Sequence, residues 1–356
     1  MKNSKRFKLI SLLLVLAMAL AAFTGCGKQA AEPAASEPAG SSGAPAAQGE
    51  QSGPEGGGPA LSEMSSDEIY DLFLNDEFPV TVAIDAECLE KGKSYTVSDM
   101  VETVRAGVSE EMYELLLGDV LYSKIDCGAD GEPELALSVS YVTPGDTYEG
   151  YEKLYVLKNY GGELKLISDD YSQSRSYADI TDSGILCWGG SSSAMSYYME
   201  YSYLNEKGEK LFLFSVEYNL GMQNPVIPLY DMPTGTIPDD VEYEEEFAED
   251  EGLEIDIYNF TKYDSSRFMD DDYYDEYLGK NVYVFLDSEG SDIKPDSRYA
   301  QYYEDAGLDI VTENELLTRL NLMLTGEYGV DPNFIYEDFT EWDVLDPETT
   351  DWLPKG

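Results

Sequence analysis

From Val120 onward, apolar residues return at every second position, and a chain with that period is committed to building sheet. Leu135, Leu137, Val139 and Tyr141 alternate with polar or small residues. Successive strand side chains point to opposite faces, so this stretch predicts a half-buried strand. Residues 154–157 and 164–167 flank Asn159-Tyr160-Gly161-Gly162, and residues 195–204 and 211–216 flank Asn205-Glu206-Lys207-Gly208. Asn and Gly tolerate the backbone of tight turns, so both read as hairpins. The two turns share Asn-x-x-Gly-Glu at an offset of 46 residues, within the range of propeller blades. Two copies hint at repeated antiparallel units.

Helices are signalled at both ends of this sheet region. Ser65 and Glu68 have capping-box spacing, Ile69, Leu72 and Phe73 follow at helical spacing, and Pro79 comes after the end. A second helix follows Thr96, with Val97, Met100, Val101 and Val104 on one face. A strand over 281–286 precedes a helix opened by Thr312 and Glu315, lined by Leu316, Leu320, Met323 and Leu324 and closed by Gly326. The expected fold is α+β, mainly antiparallel β, in propeller-like or twisted-sheet units with a few packing helices.

Charge limits what this domain can meet. The chain carries 71 acidic and 22 basic residues, a formal net charge of -49. Lys2, Lys5, Arg6 and Lys8 lie in a segment without acids, so removing residues 1–25 leaves 18 basic residues against 71 acidic ones. Such a surface repels phosphate backbones and anionic headgroups, which excludes nucleic acid as a partner and membrane adhesion by charge. There is no histidine. Ser-His-Asp and Cys-His nucleophiles and nearly all catalytic zinc sites are therefore excluded, leaving carboxylates, Tyr or Lys for any catalysis.

The N-terminus is organised differently. A cationic start (Lys2, Lys5, Arg6, Lys8) leads to an apolar run over 9–23 and then to Phe23-Thr24-Gly25-Cys26. The apolar run is shorter than the roughly 20 residues of a membrane span, and basic, apolar and small in that order is a secretory signal. The last four residues resemble the bacterial lipobox, usually Leu-Ala/Ser-Gly/Ala-Cys, with Phe23 in place of Leu. The resemblance implies a signal peptide over 1–25, a diacylglyceryl (palmitate-type) thioether on Cys26, and placement on the extracytoplasmic face of the cell membrane. Two acyl chains, at about 0.8 kcal/mol per buried methylene, anchor stably where one does not. Residues 26–60 then form the lipidated Cys26 and a linker that is almost wholly Ala, Gly, Ser, Pro, Glu and Gln after Lys28. That composition cannot bury apolar surface and is expected to be a disordered tether. Its ends are on the order of 30 Å apart. Residues 61–356 are the acidic globular domain. Cys88, Cys127 and Cys187 cannot close a disulfide framework and match no zinc spacing, so at least one is expected to be a buried thiol.

One loop carries cation chemistry. Asp126, Asp130 and Glu134 fall at relative positions 1, 5 and 9, with Gly131 at position 6, between two strand-like segments. Calcium takes six to eight oxygens, and a tight loop lets carboxylates converge on it. An EF-hand is excluded, because its twelfth position would be Leu137. The loop resembles the Asp-x-Asp-x-Asp-Gly-x-x-Asp/Glu-Leu loops between strands of FG-GAP and VCBS-type propeller repeats. Gly128 departs from that pattern, standing where those loops supply Asp or Asn. The residues alone leave two readings, a Ca2+ loop or a tight Asp-Gly turn without metal. Lipobox, tether, paired helices and this loop together resemble a group of lipoproteins of Gram-positive anaerobes, which implies location and architecture, not activity.

The remaining features read structurally. Gly189-Gly190-Ser191-Ser192-Ser193 lacks Gly-x-Ser-x-Gly spacing and is read as a Gly/Ser turn. Tyr197, Met199, Tyr201 and Tyr203 share one strand face, either as cross-strand packing or as an exposed platform for sugar rings. Asp270, Asp271, Asp272, Asp275 and Glu276 read as a solvated face, with a cation site or a carboxylate-pair glycosidase centre as the alternatives, and residues 239–256 as an acidic loop. The expectation is a membrane-anchored protein that binds an extracellular ligand, glycan or envelope protein without catalysis. Its alternative is a carboxylate-dependent glycan hydrolase.

Overall fold

In the computed structural model the period-two segments form one large antiparallel sheet. The structure describes residues 63–111, 115–144, 150–173, 175–191, 196–219, 254–267, 270–286, 292, 304 and 307–353. Cys26, the 28–60 linker and residues 239–253 of the acidic run lie outside them.

Helix α1 (Ser66–Leu74) opens where its capping box falls: Glu68 N–H donates to Ser65 Oγ, and the Ser65 amide donates to the Glu68 carboxylate at 2.8 Å. Two short strands, β1 (Val80–Val82) and β2 (Ser94–Tyr95), precede α2 (Val97–Glu111). A meander follows: β3 (Leu116–Ile125), β4 (Glu134–Val142), β5 (Gly150–Asn159), β6 (Leu164–Gln173), β7 (Ser176–Ile180), β8 (Ile185–Ser191), β9 (Ser196–Leu204) and β10 (Lys210–Asn219), each pairing antiparallel with the next. β11 (Glu254–Asn259), α3 (Asp271–Leu278), β12 (Val282–Leu286), β13 (Asp309–Ile310), α4 (Glu313–Met323) and β14 (Asp343–Val344) complete the described strands and α-helices. The expected propeller-like units are not what forms. One continuous sheet runs from β13 to β14, because each hairpin hands its outer edge to the next strand.

The sheet bends at one place. β6 shares its outer edge between two partners: Lys165 and Leu166 pair with β1, and at the far end Gln173 alone pairs with β7, through Ser176. Beyond that pair β7 leaves β6, and the second half of the sheet packs back over the first. Ala136, Leu154, Val156 and Ile167 of the first half share a core with Ile180, Leu186 and Leu204 of the second. The opposite face of β4–β6 packs Leu135, Leu137, Tyr155 and Leu166 against Tyr70, Phe73, Met100 and Val104 of α1 and α2. The outer face of β8–β12 packs Cys187, Tyr201, Val216 and Val284 against Leu316 and Leu320 of α4. β4 is thus buried on both faces from Glu134 to Val139, not half-buried as its alternation suggested, because the folded-back sheet covers its small-residue face.

Other expectations are revised for similar reasons. Gly189, Gly190 and Ser191 belong to β8, and Ser192 and Ser193 of the expected Gly/Ser turn lie outside the described residues. A Cβ on Gly189 would lie 2.9 Å from Tyr177 Cε1, and one on Gly190 3.0 Å from the Arg175 carbonyl, so neighbouring chain requires glycine there. Of the β9 face, Tyr201 and Tyr203 are buried in the α4 core, and Tyr197 is half-buried and stacked on Tyr177. α4 does not stop at Gly326; a π-helical turn over Leu324–Tyr328 follows, and Gly329, at φ 68°, closes it. Cys127 and Cys187 are buried free thiols, as expected of at least one, while Cys88 is exposed. Among the described residues, no helix is long and apolar enough to cross a membrane.

Lys153 fastens the loop after β1 onto β6. Its ammonium lies 2.8 Å from Asp169 Oδ1 and 2.9 Å from Glu87 Oε2, with the Tyr151 and Tyr171 rings 5.8 and 5.7 Å away. The Lys153 and Asp169 side chains are only 1% and 2% exposed, so removing one strands the other's charge. Lys153→Met should lower unfolding free energy by about 3–5 kcal/mol in urea denaturation. Lys153→Met combined with Asp169→Leu should recover most of that loss; a double variant no better than the single one would contradict the pairing.

Candidate functional site

The bend leaves a crevice. Where β7 departs from β6, its edge amides lose their strand partner and are met by side chains. Ala178 N–H donates to Ser172 Oγ at 2.7 Å, and Ile180 N–H donates to Asp179 Oδ1 at 2.8 Å. The C-terminal segment covers part of the same edge, with Thr340 N–H donating to the Ile180 carbonyl at 2.9 Å. Between this edge, Trp342 and the back of β4–β6 lies a cavity of about 430 Å³. That is the size of a small-molecule site. Ser138, Ser140, Glu152, Leu154, Ser172 and Asp179 are among its lining residues.

Two carboxylates share this space. Glu152 accepts from Ser138 Oγ at 2.5 Å. Burial pushes the Asp179 carboxyl up from the usual 3.8 to about 6; the Ile180 amide opposes this, the Glu152 charge adds to it, and a hydrogen bond from Trp342 opposes it again. Neither carboxylate was singled out from the sequence. Acids are so abundant that only the bend marks these two, and the bend leaves no sequence signature beyond the close approach of β6 and β7.

The Asp126, Asp130 and Glu134 loop stands elsewhere, at a junction of turns, and the structure brings two of its carboxylates, Asp130 and Glu134, near one cation. That cation is Lys158, which forms an ion pair with Glu134 and stands 4.0 Å from Asp130 Oδ2. Glu134 is fully buried and also accepts the Cys127 amide at 2.7 Å. Burial pushes its carboxyl up, and Lys158 and the Cys127 amide pull it back. Both Asp126 oxygens face the Gly131 amide at 3.1 Å, and Asp130 Oδ1 accepts the Glu132 amide at 2.8 Å. As placed, these carboxylates meet an ammonium and the turn's own amides. Among the described residues, no three His, Cys, Asp or Glu side chains are grouped to hold a metal. Gly128 also has a packing reason: at φ 86°, its Cβ would lie 2.8 Å from the Glu206 amide nitrogen of the β9–β10 turn.

The two Asn-x-x-Gly-Glu turns meet here too. Tyr160 Oη donates to the Lys207 carbonyl at 2.7 Å, so the repeat noted in the sequence marks two hairpin ends in mutual contact. The acidic stretch near α3 is tied to its own surroundings: Arg267 pairs with Asp270 at 2.6 Å and lies over the Tyr273 ring.

Comparison with known protein families, with curated proteins and with solved structures finds no match to this chain.

Two expectations follow. The Asp179 carboxyl holds its proton more tightly folded, at about 6, than unfolded, near 3.8. Its ionisation therefore costs stability as pH rises through that window. Asp179→Asn should remove this slope and stabilise the protein at pH 7, on the order of 1–3 kcal/mol in urea denaturation; a variant less stable than wild type at pH 7 would contradict the shift. If Lys158 is the cation of the Asp126 turn, the melting temperature is the same in calcium and in chelator. Gly128→Asp, which completes the calcium pattern, then lowers it, whereas a calcium-dependent rise in wild type would restore the metal reading.

Proposed function

We propose that this is a lipid-anchored protein, held through Cys26 at the extracytoplasmic face of the cell membrane, whose globular part receives a ligand in the crevice between β6 and β7. The observation that carries the ligand-binding part is that crevice, the place where the sheet opens and polar groups converge on one space. The anchor rests on the sequence order of basic, apolar and small residues before Cys26. A polyanion of formal charge -49 is repelled by anionic headgroups, so the acyl chains are what keep it at the bilayer. Binding without turnover fits a chain that has no histidine. Extracellular glycans and envelope proteins are the partner classes, and nucleic acid is excluded by charge.

One observation favours the second reading, a carboxylate-dependent glycan hydrolase. Asp179, its carboxyl pushed up to about 6, has the form of a proton-carrying acid with a second carboxylate, Glu152, lining the same space.

Cell fractionation and a binding screen test this account together. Wild type should partition with the membrane, carry a diacylglyceryl group on an N-terminal Cys26, and bind at least one glycan or peptidoglycan fragment. Cys26→Ala should leave the membrane fraction, and Gln173→Trp, at the exposed rim of the crevice, should weaken binding at least tenfold. Cys26→Ala retained as firmly as wild type would overturn the anchor, and binding indifferent to Gln173→Trp would overturn the crevice. Cleavage of the bound glycan, abolished by Glu152→Gln, would select the hydrolase.

A further inference from the structure

We propose that the crevice takes an organic cation: a ligand whose ammonium group sits between Glu152 and Asp179 and whose hydrocarbon body lies against Leu121, Leu154 and Trp342. This rests on the reading of the crevice as a ligand site and names the class of ligand.

Three other half-buried or buried carboxylates of this chain have a lysine beside them. Glu134 has Lys158, Asp169 has Lys153 at 2.8 Å, and Asp170 has Lys210 at 2.6 Å. Bringing a carboxylate away from water is costly without a counter-charge, and each of these three is given one by the chain. Glu152 and Asp179 are treated differently. Glu152 receives a serine hydroxyl, while Asp179 receives a backbone amide and the Trp342 side chain. Among the described residues, no Lys or Arg lines the crevice. Glu152 acts on Asp179 across the shared space, and among the described residues no side chain supplies the positive charge that would complete the site, so a ligand is the source proposed for it.

Size and lining then select the kind of cation. A calcium ion takes six to eight oxygens, whereas two carboxylates and a serine that already donates to one of them fall short of that shell. The cavity, at about 430 Å³, has room for a body attached to the charge. Leu121 and Leu154 supply apolar wall, and an indole beside two carboxylates suits an alkylammonium through its ring face. An anionic ligand is repelled here, and a neutral polyol leaves both charges uncompensated, so of the glycan and peptidoglycan fragments those bearing an amine are the ones that fit.

Isothermal titration of the full-length lipidated protein in a non-ionic detergent tests the proposal, with cyclohexylammonium chloride, cyclohexanol and N-acetylglucosamine as probes. The expected result is saturable binding of cyclohexylammonium, at least tenfold tighter than cyclohexanol. Glu152→Gln and the isosteric pair Glu152→Gln/Asp179→Asn, each checked to melt cooperatively, should weaken it at least tenfold. Affinity should also fall as pH is lowered through about 6, where Asp179 takes up its proton, Glu152 being the charged group that acts on it. Affinity unchanged in the double variant would mean diffuse attraction to a polyanion and would overturn the proposal. So would cyclohexanol or the sugar binding as tightly as the ammonium, or no binding by any probe. A neutral probe bound in a Gln173-sensitive way would sink the cation while leaving the crevice as a ligand site. If instead no ligand in the broader screen depended on Gln173, the site reading itself would fall.

Discussion

The architecture depends on how one strand edge is divided. A β6 that offered its whole outer edge to β7 would extend a flat sheet with both faces needing cover. Instead β1 takes that edge at Lys165 and Leu166, and β7 keeps a single pair at Gln173 and Ser176. The second half of the sheet can then fold back, and a shared core from Ala136 to Leu204 forms between the halves. One division gives three consequences: a strand buried on both faces, helices on the two outer faces, and an opening lined by polar edge groups. The strand amides left over at the opening are met by Ser172 and Asp179, which is why polar side chains concentrate there.

The excess of acid sharpens this arrangement. With 18 basic residues after the first 25, lysines are scarce, and three of them neutralise carboxylates: Lys153 and Lys158 inside the fold and Lys210 at its surface. Each also joins separate parts of the chain. Lys153 holds the loop after β1 to β6, Lys158 holds the β3–β4 turn to β5, and Lys210 ties β10 across the fold to Asp170 of β6. For the two buried pairs, Lys153–Asp169 and Lys158–Glu134, desolvation offsets much of the attraction. Against that background the uncompensated Glu152 and Asp179 stand out as a feature of the crevice and not of the composition.

Much of the fold was legible in the sequence because it is locally encoded. The capping boxes at Ser65 and Thr312 start helices where their spacing says, and the Asn159 and Asn205 turns close hairpins. The bend was not legible, since nothing in residues 164–180 distinguishes a strand that pairs along its length from one that pairs once. Everything that follows from the bend was hidden with it: the second buried face of β4, the core position of Tyr201 and Tyr203, and the meeting of Glu152 with Asp179. The Asp126 loop shows the opposite case. Its spacing was visible, but the cation near Asp130 and Glu134 is Lys158, 24 residues beyond Glu134 and reached only through the β4–β5 pairing.

The departure of β7 from β6 is therefore the claim to test. Residue-resolved amide hydrogen exchange on wild type and Ser172→Ala addresses it, because Ala178 N–H has Ser172 Oγ as its partner in the bent sheet and a β6 carbonyl in a continuous one. The account predicts that Ser172→Ala speeds exchange at Ala178 at least tenfold while Leu166 and Leu186 keep their protection. Unchanged protection at Ala178 in that variant would mean that the two strands pair along their length and that the crevice does not exist.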